Sequence, residues 1–113
     1  MSDCIFCRII KGEIPSTNVF RDEQVTAFRD IQPAAPTHIL IVPNRHIDGV
    51  DTLAGEDELL IGHLFTVAKQ LAVQEGIAGK GYRLIINTGE HAGQTVNHIH
   101  LHLLGGAPMR HMG

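Results

Sequence analysis

The chain has 113 residues, a length that predicts one domain over residues 1–113 with a core that needs no disulfide bonds. The formal net charge is −3 and the nine Lys and Arg residues are scattered, which argues against a nucleic-acid partner but not against a single nucleotide. No apolar stretch approaches the ~20 residues of a membrane span, and the first residues do not form a secretion signal, so we expect a cytoplasmic protein without membrane contact.

Short elements fill the first half of the chain. Residues 4–10, followed by Gly12, predict a short helix that ends at a glycine. Apolar and β-branched residues predict three strands, over residues 19–20, 25–29 and 38–42. The first two strands are close enough to form a hairpin around Asp22 and Glu23, and the third ends at Pro43.

The second half begins with the one strong helix, predicted over residues 56–75, with three acidic residues at its positive end. Its apolar stripe has helical spacing, at Leu60, Leu64, Val67 and Leu71. Residues 82–87 and 97–104 predict two further strands, separated by a glycine-bearing loop over residues 88–94. We therefore expect an α+β fold with one long and one short helix, in which a mostly antiparallel sheet of about five strands is covered on one face.

Three histidines alternate along the last predicted strand, as His98, His100 and His102. Because side chains on a strand alternate between its faces, the three imidazoles are expected on one face at intervals of roughly 6.6 Å. Two adjacent imidazoles could share a metal ion, but three could hardly ligate one. Imidazole is also a nucleophile and an acid–base group near neutral pH, which favours catalysis over a solvated face that merely uses histidine.

Short polar residues and glycines lie near the histidines in the sequence. They are Asn87, Gly93, Gln94 and Thr95. Backbone N–H groups of such a loop, together with small polar side chains, can cradle an oxyanion.

The two cysteines form a Cys4-x-x-Cys7 pair. In a reducing compartment such a pair is more often a metal or redox site than a disulfide scaffold. A redox site would call for a βαβ context, which the predicted order of elements lacks. Two structural thiols are the alternative to a metal site.

The motif over residues 98–104, preceded by residues 93–97 and followed by Gly105 and Gly106, resembles the histidine triad (HIT) superfamily. It is most similar to the branch of histidine triad nucleotide-binding proteins (Hint). The resemblance extends over nearly the whole chain, in residues 3–10, 27–31, 35–43, 46–47 and 81–87.

This resemblance implies a single HIT domain over residues 1–113 that cleaves the P–N bond of purine nucleoside 5′-phosphoramidates. The middle histidine, His100, would attack the α-phosphorus, and water would then hydrolyse the nucleotidyl-histidine. His102 would hydrogen-bond the phosphate or the leaving group. His38 would support the histidine cluster.

The resemblance also implies a site for the purine nucleotide substrate. Phosphate oxygens would be oriented by Asn87, Gly93, Gln94 and Thr95. Asp30 would accept hydrogen bonds from the ribose hydroxyls, although it could instead cap a turn. The base would lie between apolar side chains that could otherwise be simple core residues, namely Ile5, Phe6, Ile9, Phe28 and Ile31.

A structural metal and a dimer are further implications of the resemblance. Some members of the superfamily hold zinc in a pattern that maps to Cys4, Cys7, His46 and His98. Two thiolates and two imidazoles complete a closed tetrahedral Zn²⁺ site. Hint proteins are homodimers, and the long helix and the strand over residues 82–87 would supply the interface.

Three other functions stay open at this stage. One is a dinucleoside polyphosphate hydrolase of the same superfamily. The second is a nucleotide-binding interaction module with little turnover. The third is a zinc hydrolase in which His98 and His100 ligate a catalytic ion, and which chelation would inactivate before the fold is lost.

Overall fold

The computed structural model describes residues 4–111. Within those residues the helices and strands follow the order α1 (Ile5–Ile10), β1 (Asn18–Arg21), β2 (Val25–Arg29), β3 (Thr37–Pro43), α2 (Glu58–Gln74), β4 (Tyr82–Ile85) and β5 (Leu101–Gly105). Short 3-10 helices lie at Val50–Thr52, Gly55–Asp57 and Glu90–Ala92. No helix of this part of the chain is long and apolar enough to cross a bilayer.

The strands form an antiparallel sheet in the order β1-β2-β3-β5-β4. Every residue of β3 is buried, because this strand has a neighbour on each side and a packed layer on each face. The chain enters β5 only after the long helix and β4, so β3 and β5 become neighbours across a large separation in sequence. The expected α+β fold with an antiparallel five-stranded sheet is confirmed.

The long helix α2 covers one face of the sheet. Its buried side chains are Leu64, Val67, Ala68, Leu71 and Ala72. They pack with the side chains that β3 and β5 direct to that face, Ile39, Ile41, Leu101 and Leu103. These residues form the larger apolar core of the protein.

The long helix begins two residues later than its sequence predicts. Asp57 is buried and its Oδ2 accepts a hydrogen bond from the Ala54 backbone N–H at 2.8 Å. The same carboxylate pairs with Arg45. Asp57 therefore closes the 3-10 turn in front of α2 instead of entering the helix as a free acidic residue.

The short helix α1 covers part of the opposite face. Its N-cap is Cys4, whose Sγ accepts a hydrogen bond from the Cys7 backbone N–H at 3.4 Å. A second core cluster joins α1 to β2 and β3, through Phe6, Ile9, Ile10, Phe28, Leu40 and Val42. The expectation of a sheet covered on one face is wrong, because the alternate residues of β3 are apolar too and need their own covering layer.

The last strand starts at Leu101, so the prediction of a strand from residue 97 is wrong. The Ile99 backbone N–H donates to the carbonyl of Ile47 at 2.7 Å. Ile47 is a loop residue beyond the end of β3. Of the three alternating histidines only His102 lies in the strand. The expectation that all three histidines belong to the strand is therefore wrong, although the ring of Phe6 contacts both His98 and His100, and His100 contacts His102.

The neighbouring strand β4 is also shorter than predicted. It ends at Ile85, whose partner in β5 is His102. Residue 87 would lie opposite residue 100, which precedes β5, so the ladder does not continue to the predicted end of the strand.

Candidate functional site

The first histidine of the motif joins both cysteines. His98 is fully buried, and its Nδ1 lies 3.3 Å from Cys4 Sγ and 3.5 Å from Cys7 Sγ. His46 approaches from the loop after β3, with its Nδ1 3.3 Å from Cys7 Sγ. One ligand atom from each of these four residues lies within 4.8 Å of the others.

The far nitrogens of both imidazoles are held by acceptors. His98 Nε2 donates to the Pro43 carbonyl at 2.8 Å, and His46 Nε2 donates to the Asp48 carboxylate at 2.7 Å. Each Nδ1 is therefore unprotonated in the neutral ring, and its lone pair faces the thiols. A metal-binding histidine characteristically has its second nitrogen fixed in this way.

The donor set fits a tetrahedral ion. Bonds of about 2.3 Å to sulfur and 2.0 Å to nitrogen place the ligand atoms of a zinc tetrahedron roughly 3.3–3.8 Å apart. Three of the four sulfur–nitrogen pairs lie at 3.3, 3.3 and 3.5 Å, and all four ligand atoms lie within 4.8 Å of one another. Burial raises the pKa of the Cys4 thiol, so a cation in the cluster would supply the charge that two thiolates need.

The middle histidine has a defined tautomer. His100 Nδ1 donates to the backbone carbonyl of His98 at 2.7 Å. Burial lowers the pKa of His100, which favours the neutral ring with its lone pair on Nε2. The ring of Phe6 packs edge-on against it with centroids 5.0 Å apart. His100 thus offers one unprotonated nitrogen in a fixed orientation, as a nucleophile requires.

The third histidine forms a pair with a residue of β3. The Ala34 backbone N–H donates to His38 Nδ1 at 3.0 Å, which places the proton of neutral His38 on Nε2. His38 Nε2 lies 3.0 Å from His102 Nδ1 and donates to it. Neutral His102 therefore carries its own proton on Nε2, and burial lowers the pKa of His102 to about 4.

Asp30 adds a carboxylate at the edge of this pair. Its Oδ1 accepts from the Gln32 backbone N–H at 2.8 Å, so Asp30 does cap the turn after β2. Its Oδ2 lies 3.5 Å from His38 Nε2. Asp30, His38 and His102 are close enough to be considered as metal ligands, but the proton on His38 Nε2 occupies the position that a metal would need.

The histidines open into a cavity of about 420 Å³. Five of its lining side chains are the apolar residues predicted to hold the base, Ile5, Phe6, Ile9, Phe28 and Ile31. Four more are predicted polar residues, Asp30, Thr95, His100 and His102. The cavity is thus apolar at one end and carries imidazoles and a carboxylate at the other.

Three predicted phosphate ligands do not line that cavity. They are Asn87, Gly93 and Gln94. The Gln94 amide instead braces its own loop, since it accepts from the Gly89 N–H at 2.9 Å and donates to the Asp48 carbonyl at 2.8 Å. Gly93 has a φ of +85°, a left-handed conformation that favours glycine.

Sequence reasoning missed other parts of the cavity wall. Ile14, Pro15 and Ser16 line it from the connection between α1 and β1, and Leu40 lines it from β3. The alternation of β3 could have identified Leu40, because it shares a face with His38. Nothing in the residues of the α1–β1 connection indicates their position.

Comparison with known proteins gives a consistent result. The family model described as the HIT domain matches residues 11–109. The chain is 57% identical over 107 residues to a purine nucleoside phosphoramidase of Escherichia coli strain K12, which covers 95% of this chain and 90% of that protein.

Solved structures agree in fold. The structure of a HIT family hydrolase from Legionella pneumophila matches with a TM-score of 0.94 and 49% identity, over 96% of each chain. A histidine triad protein from Clostridium difficile matches with a TM-score of 0.96 and 40% identity, over 100% of this chain and 98% of that one. The resemblance drawn from the sequence is confirmed, and the chain belongs to the HIT domain family.

Proposed function

We propose that this protein is a purine nucleoside phosphoramidase, an enzyme that hydrolyses the P–N bond of purine nucleoside 5′-phosphoramidates. The observation that carries the proposal is the fixed lone pair on His100 Nε2 at the wall of the cavity. The 57% sequence identity between this chain and the E. coli phosphoramidase supports the same activity.

The reaction has two steps. His100 Nε2 attacks the α-phosphorus, an N–P bond forms, and the P–N bond to the leaving group breaks as the departing nitrogen takes up a proton to become an amine. Water then attacks phosphorus, an O–P bond forms, the N–P bond to His100 Nε2 breaks, and the nucleoside monophosphate and one proton are released, so that the two steps sum to hydrolysis. His102 Nε2–H hydrogen-bonds a phosphate oxygen or the leaving nitrogen, and His38 fixes the tautomer of His102.

The cavity supplies binding for the rest of the nucleotide. The purine lies among the apolar side chains around Phe6 and Phe28, whose rings contact each other with centroids 5.4 Å apart. Asp30, which lines the cavity and is part-buried, accepts hydrogen bonds from the ribose hydroxyls with its carboxylate. Thr95, which lines the cavity, binds phosphate directly, and Asn87, Gly93 and Gln94 orient the phosphate oxygens from the neighbouring segment in this proposal.

Cys4, Cys7, His46 and His98 hold a structural Zn²⁺ in this proposal. Four protein ligands leave the ion no open position, so its role is to fix the N-terminal end of α1 beside the segment that carries His100. A cytoplasmic location fits this chemistry, because reducing conditions keep both thiols available to a metal. The ion takes no part in the two chemical steps. The whole chain, residues 1–113, acts as one domain.

We further propose that the protein is a homodimer. β4 is an edge strand with no neighbour on its outer side in the described sheet. On α2, Phe65 is 43% exposed although it is large and apolar. Together they supply an open hydrogen-bonding edge and an apolar surface for a second copy.

The decisive experiment is a turnover assay with an adenosine 5′-phosphoramidate beside a dinucleoside polyphosphate. We expect the phosphoramidate to be cleaved with a kcat/KM at least about tenfold higher, a difference of roughly 1.4 kcal/mol in transition-state binding. Preference for the polyphosphate would support the alternative hydrolase. Tight nucleotide binding without turnover of either substrate would support an interaction module.

A further inference from the structure

Asp48 lies between the cluster that could hold a metal ion and the glycine-bearing loop over residues 88–94. Its carboxylate accepts a hydrogen bond from His46 Nε2 at 2.7 Å, and the other ring nitrogen of His46 faces the Cys7 thiol. The backbone carbonyl of Asp48 accepts a hydrogen bond from the Gln94 side-chain amide at 2.8 Å. One residue therefore holds a proposed metal ligand with its side chain and the loop with its backbone.

The Gln94 amide closes the glycine-bearing loop. Its Oε1 accepts from the Gly89 backbone N–H at 2.9 Å, and its Nε2 also donates to the Val96 carbonyl at 3.2 Å. A Cβ on Gly49, the residue after Asp48, would lie 3.3 Å from Gln94 Oε1, so the amide packs directly against the backbone there. These contacts use both ends of the amide, and Gln94 therefore fixes the shape of the loop.

Two further hydrogen bonds join the end of β3 and the loop after it to the segment before β5. His98 Nε2 donates to the Pro43 carbonyl at 2.8 Å, and the Ile99 backbone N–H donates to the Ile47 carbonyl at 2.7 Å. The two segments are thus tied at several points, and each contributes one imidazole to the cluster.

The glycine-bearing loop is also connected to the substrate site. Thr95 follows Gln94 directly and lines the nucleotide cavity, which is the cavity of about 420 Å³ beside the catalytic histidines. Within residues 4–111 Asp48 is not among the residues that line this cavity. Asp48 can therefore affect the substrate only through its neighbours.

We propose that Asp48 is a positioning residue that couples metal binding at the cluster to phosphate binding at the glycine-bearing loop. Because its side chain is held by His46, the Asp48 backbone is fixed where Gln94 bonds to it. Gln94 in turn holds the loop and presents Thr95 to the phosphate. A loop that already has its binding shape does not have to be ordered when the substrate binds. This inference rests on the proposed phosphoramidase function and deepens it.

Coupling between two binding sites is reciprocal, so it can be measured from the metal side. We expect saturating adenosine 5′-monophosphate (AMP) to tighten Zn²⁺ binding by the wild type about fivefold, at the lower end of the usual coupling between sites. Adenosine binds through the same base and ribose but has no phosphate, and it should leave the Zn²⁺ affinity unchanged. Competition with a zinc chelator measures the affinity in each case.

The variant that tests Asp48 is Asp48→Ala. It should weaken Zn²⁺ binding about tenfold, the lower end of the usual effect of losing the partner of a metal ligand, because the contact with His46 is exposed. In the zinc-saturated protein it should also weaken AMP binding about fivefold, measured by calorimetry, and leave adenosine binding unchanged. A general loss of stability would instead weaken the binding of both ligands.

Two further variants are matched to this one. Asp48→Asn keeps an oxygen that can accept from His46 Nε2, and it should restore most of both affinities. Asp51→Ala removes an exposed acidic side chain from the same part of the chain and should behave as the wild type.

A double substitution separates the two contacts of Asp48. In a Gln94→Ala protein the loop has already lost its bond to the Asp48 carbonyl. Adding Asp48→Ala should therefore still weaken Zn²⁺ binding but cause no further loss of AMP affinity. Additive losses of AMP affinity would overturn the proposal, as would equal effects of AMP and adenosine on Zn²⁺ binding by the wild type.

The coupling can fail separately from the proposed function. Cleavage of an adenosine phosphoramidate by a protein that binds no Zn²⁺, or whose AMP and Zn²⁺ affinities are independent, would overturn the coupling alone. Coupled binding without cleavage would overturn the proposed function alone. If AMP does not bind, hydrogen exchange of the Gly89 amide in the zinc-loaded protein decides. Faster exchange in Asp48→Ala than in Asp48→Asn supports the role of Asp48, and equal rates overturn it.

Discussion

His98 and His100 are two residues apart, yet their imidazoles have different partners. The His98 ring is held by thiols on one side and by the Pro43 carbonyl on the other. The His100 ring lies at the wall of the cavity of about 420 Å³, and only its Nδ1 is held, by the His98 carbonyl. The two rings still share one neighbour, because Phe6 lies edge-on to both of them.

Substitutions of His98 and of His100 should therefore have different effects on metal content, stability and activity. We expect His100→Ala to lower kcat by at least about 10³-fold while zinc content and Tm stay close to wild type. We expect His98→Ala and Cys4→Ser to release zinc and lower Tm by roughly 10 °C, because a structural metal contributes to folding. Metal analysis, thermal melts and single-substrate kinetics on the same preparations measure all three quantities.

Two results would contradict this division. One is a His100→Ala variant that loses zinc or keeps most of its activity. The other is a wild-type protein that contains no zinc after purification under reducing, chelator-free conditions. Immediate loss of activity on chelation, with Tm unchanged, would instead favour a catalytic metal at His98 and His100.

The lowered pKa of His102 makes the free energy of unfolding depend on pH. Burial lowers the pKa of His102 to about 4, whereas the unfolded chain has an ordinary value of about 6.5. Between these values the unfolded state binds the proton and the folded state does not, so stability is retained above pH 6.5 and falls as the pH drops toward 4. Between pH 7 and pH 5 the loss should be about 2 kcal/mol.

The measurement is the change in Tm between pH 7 and pH 5 for the wild type and for His102→Gln. The variant cannot gain this proton, so its Tm should fall less. Carboxylates such as Asp22 and Glu75, whose pKa values are lowered by their own partners, are present in both proteins and cancel in the comparison. Identical pH profiles would show that His102 does not titrate as described.

At the scale of elements, the end of β5 depends on the absence of a side chain. A Cβ on Gly105 would lie 2.6 Å from Ile77 Cδ1 and 3.2 Å from Ile77 Cβ. We expect Gly105→Ala to destabilise the protein by about 1–3 kcal/mol through overpacking. Denaturant unfolding measures the loss.

Ile77→Val provides the matched background, because it removes the nearest clashing atom. Gly105→Ala should cost less stability in the Ile77→Val protein than in the wild type. Equal losses in both backgrounds would place the strain elsewhere.

The sequence predicted the elements well but some of their ends poorly. Alternation and apolar periodicity indicate β3 and α2 because those patterns are repeated over many residues. The start of β5 was missed because the bond from Ile99 to Ile47 is long-range and leaves no local signal. Asp57 was assigned to the long helix for the same reason, since its partner Arg45 is distant in sequence.

The candidate site shows the same distinction. The cysteine spacing and the family resemblance predicted the four residues that the structure brings together as a group that could hold a metal ion. The resemblance also led us to expect Gln94 among the residues that contact phosphate. Its amide is instead engaged by Gly89 and Asp48, contacts that depend on how the loop folds back and that no residue spacing indicates.

At the scale of the whole molecule, we predict a dimer of about 25 kDa from two chains of 12.3 kDa. Phe65→Asp should weaken it, because a charge would replace an exposed aromatic ring on α2. Light scattering at micromolar concentration measures the mass. Lys11→Glu, exposed beside α1, is a control that should leave the dimer intact; a wild-type species of only 12 kDa would contradict the prediction.

The backbone carbonyl of His98 has a consequence for spectroscopy. That oxygen determines which nitrogen of His100 bears the proton, and the ring of His98 belongs to the cluster that could hold a metal ion. Filling or emptying the cluster should therefore change the tautomer ratio of His100 without any group entering the nucleotide cavity. Imidazole ¹⁵N chemical shifts would record metal occupancy at a ring that the metal never contacts, and an unchanged ratio on chelation would show that packing alone holds the carbonyl.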